Sequence, residues 1–239
     1  MGAKRGASKK HNKNYNNVVE LNQHNHPKQV HIVPKNKAQE AYMLKLLDQD
    51  KSIVFGVGPA GTGKTMLAVQ AAVKLFKAGE IDRIVVTRPA VSADEDLGAL
   101  PGTLEQKMAP WTRPIFDVLR EYFNAREIAG MIEDEIIEIA PLAYMRGRTF
   151  KKSFIVADEM QNTTVNQMKM LLTRLGEGSY MAVTGDLEQA DRLKNNGLIN
   201  FLEHLEDRKT AHLDIVRFAK GDVERHKAVQ EVLEMYGAE

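Results

Sequence analysis

A glycine-rich loop between an apolar run and a helix-forming run constrains the fold of this chain more than any other feature. Residues 58–65 read GPAGTGKT and match the phosphate-binding pattern G-x-x-x-x-G-K-[ST]. The β-branched run 53–57 before the loop predicts a buried strand, and residues 66–76 after it have helical composition. Because such glycines turn backbone N–H groups inward and a helix N-terminus carries partial positive charge, this order indicates nucleotide binding rather than a chance glycine turn.

The candidate nucleotide contacts begin with the loop itself. Lys64 is expected to neutralise β- and γ-phosphate oxygens, and the Thr65 hydroxyl is expected to hold Mg²⁺. Gln39 lies in a predicted helix over 37–47, and its amide is able to read the edge of adenine, although an ordinary surface glutamine is the alternative. The predicted nucleotide-binding set is Gln39, Gly58, Pro59, Ala60, Gly61, Thr62, Gly63, Lys64 and Thr65.

Two carboxylates end a second apolar run, over 154–159. In a phosphate-loop protein, Asp158 is expected to hold Mg²⁺ through a water molecule, and Glu159 to orient the attacking water. This pattern is weak alone and strong beside the loop, and the glutamate argues against simple phosphate transfer to an acceptor. Gln189 ends a predicted strand over 180–189, from which it would sense the γ-phosphate if that strand neighbours the one carrying Asp158.

Strands alternate with helices along the rest of the chain, which predicts an α/β fold with a mostly parallel sheet and helices on both faces. Further strands are predicted over 83–89, 136–139 and 211–218, and further helices over 104–123, 165–175 and 197–205, with a final helix capped by Asp222. The acidic segment 90–102 follows a strand, where open α/β sheets bind ligands. Trp111 is expected to pack in the core rather than stack on a base.

The charge is unevenly distributed, although the net charge is only +1. Residues 1–35 carry seven Lys or Arg against one Glu, and their polar composition predicts a disordered basic tail over 1–33 ahead of one domain over 34–239. Such a tail is suited to nucleic acid, and a solubilising role is the equal alternative. His24, His26 and His31 are interpreted as solvated rather than metal-binding.

Composition excludes several classes of protein. The chain has no Cys, which excludes disulfides and thiolate metal sites. It has no apolar run of about 18 residues, so no membrane association is expected and we predict a cytoplasmic protein. Arg146 and Arg148 flank Gly147, where they could meet phosphates of nucleic acid or of a neighbouring subunit's nucleotide, or form an ordinary solvated loop.

Taken together, these motifs resemble the PhoH family of phosphate-loop ATPases. The resemblance covers residues 36–236, and the segments that carry it are PAGTGKT (59–65), TRP (87–89), PLAYMRGRT (141–149), DEMQNTT (158–164), TGD (184–186) and DVERH (222–226). The family is similar to the first motor domain of superfamily 1 helicases, which implies a RecA-like fold and ATP hydrolysis coupled to RNA or single-stranded DNA. By the same likeness, Gln39 matches the adenine-reading glutamine and Gln189 the γ-phosphate sensor. Met160, Leu187 and Glu188 depart from the family pattern.

We therefore expect a Mg²⁺-dependent ATPase, with a nucleotide-switched assembly module of slow turnover as the alternative and a phosphotransferase third. After the final predicted helix the sequence shows no second motor domain to cover the nucleotide, so we expect a homo-oligomer, and the resemblance suggests a hexameric ring. A neighbouring subunit would then supply an arginine to the γ-phosphate. The candidates are Arg217 and Arg225, followed by Arg146 and Arg148; surface salt bridges are the competing interpretation.

Overall fold

The structure, a computed structural model, describes residues 30–89, 104–190, 195–206, 208–225 and 227–235. Residues 1–29, most of the predicted basic tail, and the predicted acidic segment 90–102 lie outside the described residues. The disorder of the tail therefore stays a prediction.

Six parallel strands form one sheet. The strands are β1 (Ile53–Val57), β2 (Arg83–Thr87), β3 (Ile137–Ile139), β4 (Ser153–Ala157), β5 (Tyr180–Gly185) and β6 (Leu213–Arg217). Their order across the sheet is β3-β2-β4-β5-β1-β6, and every pair is parallel. All residues of β1 and β4 are buried, as expected of continuous apolar runs covered on both faces.

Helices cover both faces of the sheet. They are α1 (Lys37–Leu46), α2 (Lys64–Lys77), α3 (Leu104–Arg120), α4 (Ala125–Glu133), α5 (Val165–Leu172), α6 (Gly197–Glu206) and α7 (Lys227–Met235). One apolar core joins α1 to α4 with one face, and a second core joins α5 and α6 with the other. The predicted α/β architecture is confirmed, and it is RecA-like in that β5 separates the loop strand β1 from the carboxylate strand β4.

Several predicted boundaries were wrong, and three of them matter for the site. β4 ends at Ala157 and β5 at Gly185, so Glu159 and Gln189 follow their strands instead of ending them. Asp222 does not cap α7; it closes the 3-10 turn Lys220–Asp222, where its carboxylate accepts from the Ala219 N–H at 2.8 Å. The last helix starts later, so Arg225 precedes it. A polar side chain able to bond a nearby backbone N–H stabilises a turn as readily as a helix cap.

α4 was not predicted, although its signal is present in the sequence. Asn124 caps it because its side-chain oxygen accepts from the Glu127 N–H at 2.9 Å, and the Glu127 carboxylate accepts from the Asn124 N–H at 2.6 Å. This reciprocal arrangement is a capping box. Ile128 and Met131 then face the core between α3 and β3.

Candidate nucleotide-binding site

A cavity of about 240 Å³ opens at the carboxyl edge of the sheet. It lies between the loop after β1 and the segments that follow β4 and β5, because these three strands are adjacent and parallel. Its volume is below the ~300 Å³ at which small-molecule sites usually start, so it is sized for phosphates rather than for a whole nucleotide. It is lined by Ala60, Gly61, Gly63, Lys64, Thr65, Met66, Asp158, Glu159, Thr184, Gly185, Asp186 and Gln189.

At two positions the backbone conformation of the loop requires glycine. Gly58 has φ +147°, and a Cβ at this position would lie 2.3 Å from the carbonyl oxygen of Phe218. Gly63 has φ +82° where it caps α2, a left-handed conformation that other residues rarely adopt. The loop therefore packs tightly against the end of β6 and turns directly into a helix N-terminus, the arrangement that favours anions.

Lys64 is buried within the loop that precedes it. Its ammonium donates to the carbonyl oxygens of Gly58 at 2.7 Å and Pro59 at 2.6 Å, and to the Thr62 hydroxyl at 3.2 Å. Burial lowers the pKa of Lys64, and the carboxylates of Asp186, Glu159 and Asp158 oppose that effect. Burial is the larger of the two effects, so the pKa of Lys64 stays below its ordinary value.

Two hydroxyl groups converge on one carboxylate at the floor of the cavity. Thr65 Oγ1 donates to Asp158 Oδ1 at 2.7 Å, and Thr184 Oγ1 donates to the same oxygen at 2.6 Å. Thr65 lies at the start of α2, Asp158 directly follows β4, and Thr184 lies in β5. The hydroxyl and carboxylate oxygens predicted to hold Mg²⁺ are thus in direct contact.

This donor set fits magnesium in one specific sense. Mg²⁺ is commonly held by one or two protein oxygens together with substrate phosphates, rather than by a complete protein cage. Across the described ranges no group of three His, Cys, Asp or Glu side chains is arranged to hold a metal ion. Thr65 and Asp158 therefore match a site that a nucleotide would complete.

Glu159 is held in an unusual backbone conformation beside this floor. Its φ is +56°, in the left-handed region, which costs a non-glycine residue about 1–3 kcal/mol and occurs preferentially at functional sites. The Gln161 amide donates to Glu159 Oε2, and the Arg88 guanidinium lies 3.9 Å from Oε1. The carboxylate is thus oriented by neighbours on two sides.

Asp186 and Gln161 are site residues to which the sequence analysis assigned no role. Asp186 Oδ2 accepts from the Ala60 N–H of the loop at 3.0 Å, and Oδ1 accepts from the Glu188 N–H at 3.0 Å. Gln161 Oε1 in turn accepts from the Asp186 N–H at 3.2 Å. Both belong to segments that carry the family resemblance, Asp186 to TGD and Gln161 to DEMQNTT. Membership of these segments was the sequence signal by which the two residues could have been identified. Their partners become visible only once β4 and β5 are paired.

The two predicted glutamines lie in different places. Gln189 lines the cavity from the 3-10 turn Leu187–Gln189, and β5 does neighbour β4 as its predicted role required. Gln39 does not line the cavity and is only 1% exposed. Its amide donates to the Thr62 carbonyl at 3.0 Å and accepts from the Lys35 N–H at 2.9 Å. In this position Gln39 stabilises the phosphate loop through its bond to Thr62. The predicted contact of Gln39 with adenine stays a prediction.

The candidate arginine fingers are in four different environments. Arg217 ends β6 and forms an ion pair with Glu206. Arg225 is exposed, and its Nε lies 3.5 Å from where a Cβ on Gly61 would be, so it sits beside the loop of its own chain. Arg148 forms a two-fold ion pair with Glu138 and lies 4.6 Å from the centre of the Phe150 ring. Arg146 is exposed and makes no hydrogen bond or ion pair to any other described residue.

Comparison with known proteins agrees with these motifs. A family model described as PhoH-like protein matches residues 31–237. The chain is 46% identical over 210 residues to a PhoH-like protein of Mycobacterium tuberculosis, covering 86% of this chain and 58% of that protein. It is 46% identical over 204 residues to a PhoH-like protein of Bacillus subtilis, covering 84% of this chain and 63% of the relative. Protein PhoH of Escherichia coli is 42% identical over 209 residues, with coverage of 86% and 58%.

The chain thus spans roughly three fifths of the length of these relatives, 58% to 63%. Among solved structures, the Pif1 helicase from Candida albicans aligns with a TM-score of 0.41 and 14% identity, covering 86% of this chain and 44% of that chain. None of the helices in the described ranges is long and apolar enough to cross a membrane.

Proposed function

The chain belongs to the PhoH-like family, and from the polar cluster beneath its phosphate loop we propose that it binds ATP with Mg²⁺ and hydrolyses it. The observation that carries this proposal is the convergence of Thr65 and Thr184 on Asp158, inside the cavity that also holds Lys64 and Glu159. A turn with no nucleotide role does not require a buried carboxylate beside its lysine, because burying that carboxylate costs free energy.

Binding is proposed to use the loop, its lysine and the start of α2. The Lys64 ammonium would exchange the carbonyl oxygens of Gly58 and Pro59 for the β- and γ-phosphates, to which charged hydrogen bonds are stronger. The phosphates would also compete with the Asp186 carboxylate for the Ala60 N–H, since both are acceptors for that donor. Occupation of the loop would thereby release Asp186.

Thr65 and Asp158 are the residues that would hold Mg²⁺, and the ion would supply positive charge against the β- and γ-phosphate oxygens. Thr184 does not need to contact the metal in this scheme. Its hydroxyl donates to Asp158 Oδ1 at 2.6 Å, which keeps the carboxylate oriented and leaves Oδ2 with no protein donor in the described residues.

Hydrolysis is proposed to use Glu159 as the base. Its carboxylate would take a proton from the attacking water as the water oxygen bonds to the γ-phosphorus. The bond between that phosphorus and the bridging oxygen would break, which releases ADP and phosphate. Gln161 positions the carboxylate through its amide donor, and Gln189, which lines the same cavity, would report the presence of the γ-phosphate.

Coupling to RNA or single-stranded DNA is the second part of the proposal. It is supported by the resemblance to superfamily 1 motor domains and by the excess of Lys and Arg in residues 1–35. A nucleotide-switched module with slow turnover is the alternative. It is favoured by one observation: Lys64 and the Ala60 N–H are both already bonded within the chain, so nucleotide binding would rearrange the loop.

Steady-state ATPase assays with and without single-stranded RNA and DNA test this proposal. Strong stimulation by either nucleic acid supports a motor-like ATPase. Slow turnover that neither strand changes, together with tight ATP binding, would favour the switched module. Phosphate transfer to a protein or small-molecule acceptor would overturn the hydrolase proposal altogether.

We further propose that the working unit is a homo-oligomer, with a hexameric ring as the expected form, in which an arginine acts across the interface. Arg217 is exposed at the end of the edge strand β6, where it pairs with Glu206. Arg225 lies beside Gly61 of its own chain, which makes Arg217 the better candidate for action on a neighbour.

Mass measurement in solution with ATP and subunit mixing test the assembly. An Arg217→Ala subunit mixed with a Lys64→Ala subunit should recover turnover, because one supplies the intact loop and the other the intact arginine. The same mixture made with Arg225→Ala distinguishes action on a neighbour from action on the chain's own loop. A fully active monomer would exclude the oligomer proposal.

A further inference from the structure

A second cavity, separate from the nucleotide site, lies between the 3-10 turn Leu142–Met145 and α5. Its volume is about 650 Å³. We call it the α5 groove; it is lined by Ala143, Arg146, Asn166, Gln167, Lys169, Met170, Thr173 and Arg174. It shares no lining residue with the nucleotide-binding cavity.

The lining of the α5 groove carries positive charge only. Arg146, Lys169 and Arg174 contribute three cations, and none of the lining residues is acidic. Arg174 is fixed in place, since its guanidinium donates to the carbonyl oxygens of Met170 at 3.0 Å and Arg148 at 2.9 Å. Arg146 and Lys169 are exposed, and their side chains have no partner among the described residues. Two cations with free donors beside a fixed third suit a ligand that carries several negative charges.

An exposed aromatic side chain lies in the turn that borders the groove, although it is not one of the lining residues. Tyr144 belongs to the same turn as Ala143 and is 63% exposed. It is the only aromatic side chain among the large hydrophobic residues that are markedly exposed in the described ranges. Met170 and Ala143 add apolar lining to the groove. Cations along a groove together with an exposed aromatic ring are the features by which proteins bind single strands, through phosphates and stacked bases.

The α5 groove is also connected to the candidate catalytic base along the chain. Glu159 is followed by the 3-10 turn Met160–Asn162 and then by Thr164, which caps α5. Thr164 Oγ1 accepts from the Gln167 N–H at 3.3 Å, and Gln167 Oε1 accepts from the Thr164 N–H at 2.9 Å. A ligand held against α5 would therefore contact the element that leads directly back to Glu159.

We propose that the α5 groove binds single-stranded nucleic acid, with Arg146 and Lys169 on phosphates and Tyr144 stacked on a base. This inference rests on the nucleic-acid coupling proposed above and gives that coupling a location. It also separates the two arginines of the arginine-glycine motif. Arg148 is committed to Glu138 and stabilises the turn, whereas Arg146 is available to the ligand.

The site is tested by fluorescence anisotropy on the full chain without ATP. The probe is labelled oligouridine or oligothymidine of about 20 nucleotides, which is longer than the ~4–16 nucleotides that one small domain covers. The double variant Arg146→Ala/Lys169→Ala should lower the salt slope of binding by about 1.4, since each single-strand phosphate contact contributes ~0.7. The matched control is Lys74→Ala/Arg126→Ala, which removes two exposed, unpaired cations from α2 and α4 on the other face. The control should leave the slope unchanged.

Tyr144 supplies an independent readout. Tyr144→Ala should weaken binding about fivefold or more with little change in salt slope, because stacking is not an ionic contact. Tyr144→Phe should retain the affinity. All three side chains are exposed, so unchanged thermal unfolding of the variants is expected and is measured alongside.

Several results would overturn the inference. It fails if the double variant and its control change the slope equally, or if wild type binds no single strand. It also fails if inorganic polyphosphate or a phosphopeptide competes as well as oligouridine while Tyr144→Ala has no effect. Basal ATPase activity is measured separately: a chain that binds oligouridine through the groove but does not hydrolyse ATP would refute the hydrolysis proposal and leave the groove standing.

Discussion

The nucleotide-binding cavity and the α5 groove differ in how their polar side chains are partnered. In the cavity Lys64, Asp158 and Asp186 are all less than 10% exposed, at 8%, 8% and 7%, and each is bonded to other groups of the chain. In the groove, the side chains of Arg146 and Lys169 are exposed and bond to no described residue. Buried polar groups must be satisfied before any ligand arrives, whereas exposed ones are satisfied by water.

This difference has a consequence for function. The carboxylates of Asp158 and Glu159 are held in place by donors of the chain, and groups fixed in this way are preorganised for catalysis. Lys64 and the Ala60 N–H, by contrast, would first exchange their present partners for phosphate. An open groove with long, free side chains adapts to a strand of variable sequence. Changes in the cavity should therefore have large effects on chemistry, and changes in the groove smaller effects on affinity.

The largest effect is expected from Glu159→Gln. The amide keeps the shape of the side chain but takes up a proton poorly, so turnover should fall about 10²–10⁴-fold, the range for loss of a general base. ATP affinity should stay near that of wild type. Single-turnover hydrolysis and titration with a fluorescent ATP analogue measure the two quantities separately. Normal hydrolysis by this variant would show that Glu159 is not the base.

Lys64→Ala should have the next largest effect, on binding itself. Removal of the cation proposed to bond the β- and γ-phosphates should weaken ATP binding by about 2–3 kcal/mol, or roughly 30–150-fold. Lys74→Ala on the same helix is the control, because that lysine is exposed to solvent and does not line the cavity. Equal affinities for the Lys64 variant and wild type would contradict the proposed site.

Gln161→Met tests whether the cross-bonding of the cavity matters for catalysis. The change removes the donor to Glu159 and leaves the Asp186 N–H without its acceptor, so the free energy of unfolding should fall by about 1–3 kcal/mol. If Gln161 positions the base, kcat should fall while KM for ATP changes little. A loss of stability with unchanged kcat would assign Gln161 a structural role only.

The smallest effect, on stability, is expected at a polar cluster outside both sites, whose side chains are partly exposed and paired with one another. Asp214 on β6 pairs with Lys45 and lies 3.9 Å from Lys51, with a quarter of its side chain exposed, 25%. Burial raises the pKa of this carboxyl. Two hydrogen bonds, from Lys45 and from the Ile215 N–H, and the charges of Lys45 and Lys51 act in the opposite direction. Together they outweigh burial, so the pKa of Asp214 is lowered overall.

Asp214→Asn should therefore reduce stability by no more than about 1 kcal/mol at neutral pH, as is typical of partly exposed ion pairs. A carboxyl whose pKa is lower in the folded state contributes stability above its unfolded pKa of about 3.9, and loses that contribution as pH falls through the folded value. Urea unfolding of variant and wild type at neutral and strongly acidic pH measures this. The difference between them should vanish in acid; a constant difference would mean that the ion pair is not its origin.

Much of the cavity was predictable because its residues lie in short, continuous motifs. GPAGTGKT specifies a loop with glycines at fixed places, and the apolar run before Asp158 specifies a buried strand that ends in a carboxylate. These signals depend on neighbours in the chain, so local chemistry is enough to interpret them. The boundaries were less accurate, since strand ends at β4 and β5 depend on where pairing with adjacent strands stops.

The sequence by itself determined the fold class, the phosphate loop and the identity of the carboxylates, because each depends on composition and spacing within a few residues. Only the tertiary structure decided which polar groups meet. It placed Asp186 on the Ala60 N–H, turned the Gln39 amide toward Thr62, and separated Arg146 from Arg148 by pairing the latter with Glu138. The physical reason is that hydrogen bonds and ion pairs act over only a few ångströms. Which residues from distant parts of the chain come that close is set by the order of strands in the sheet.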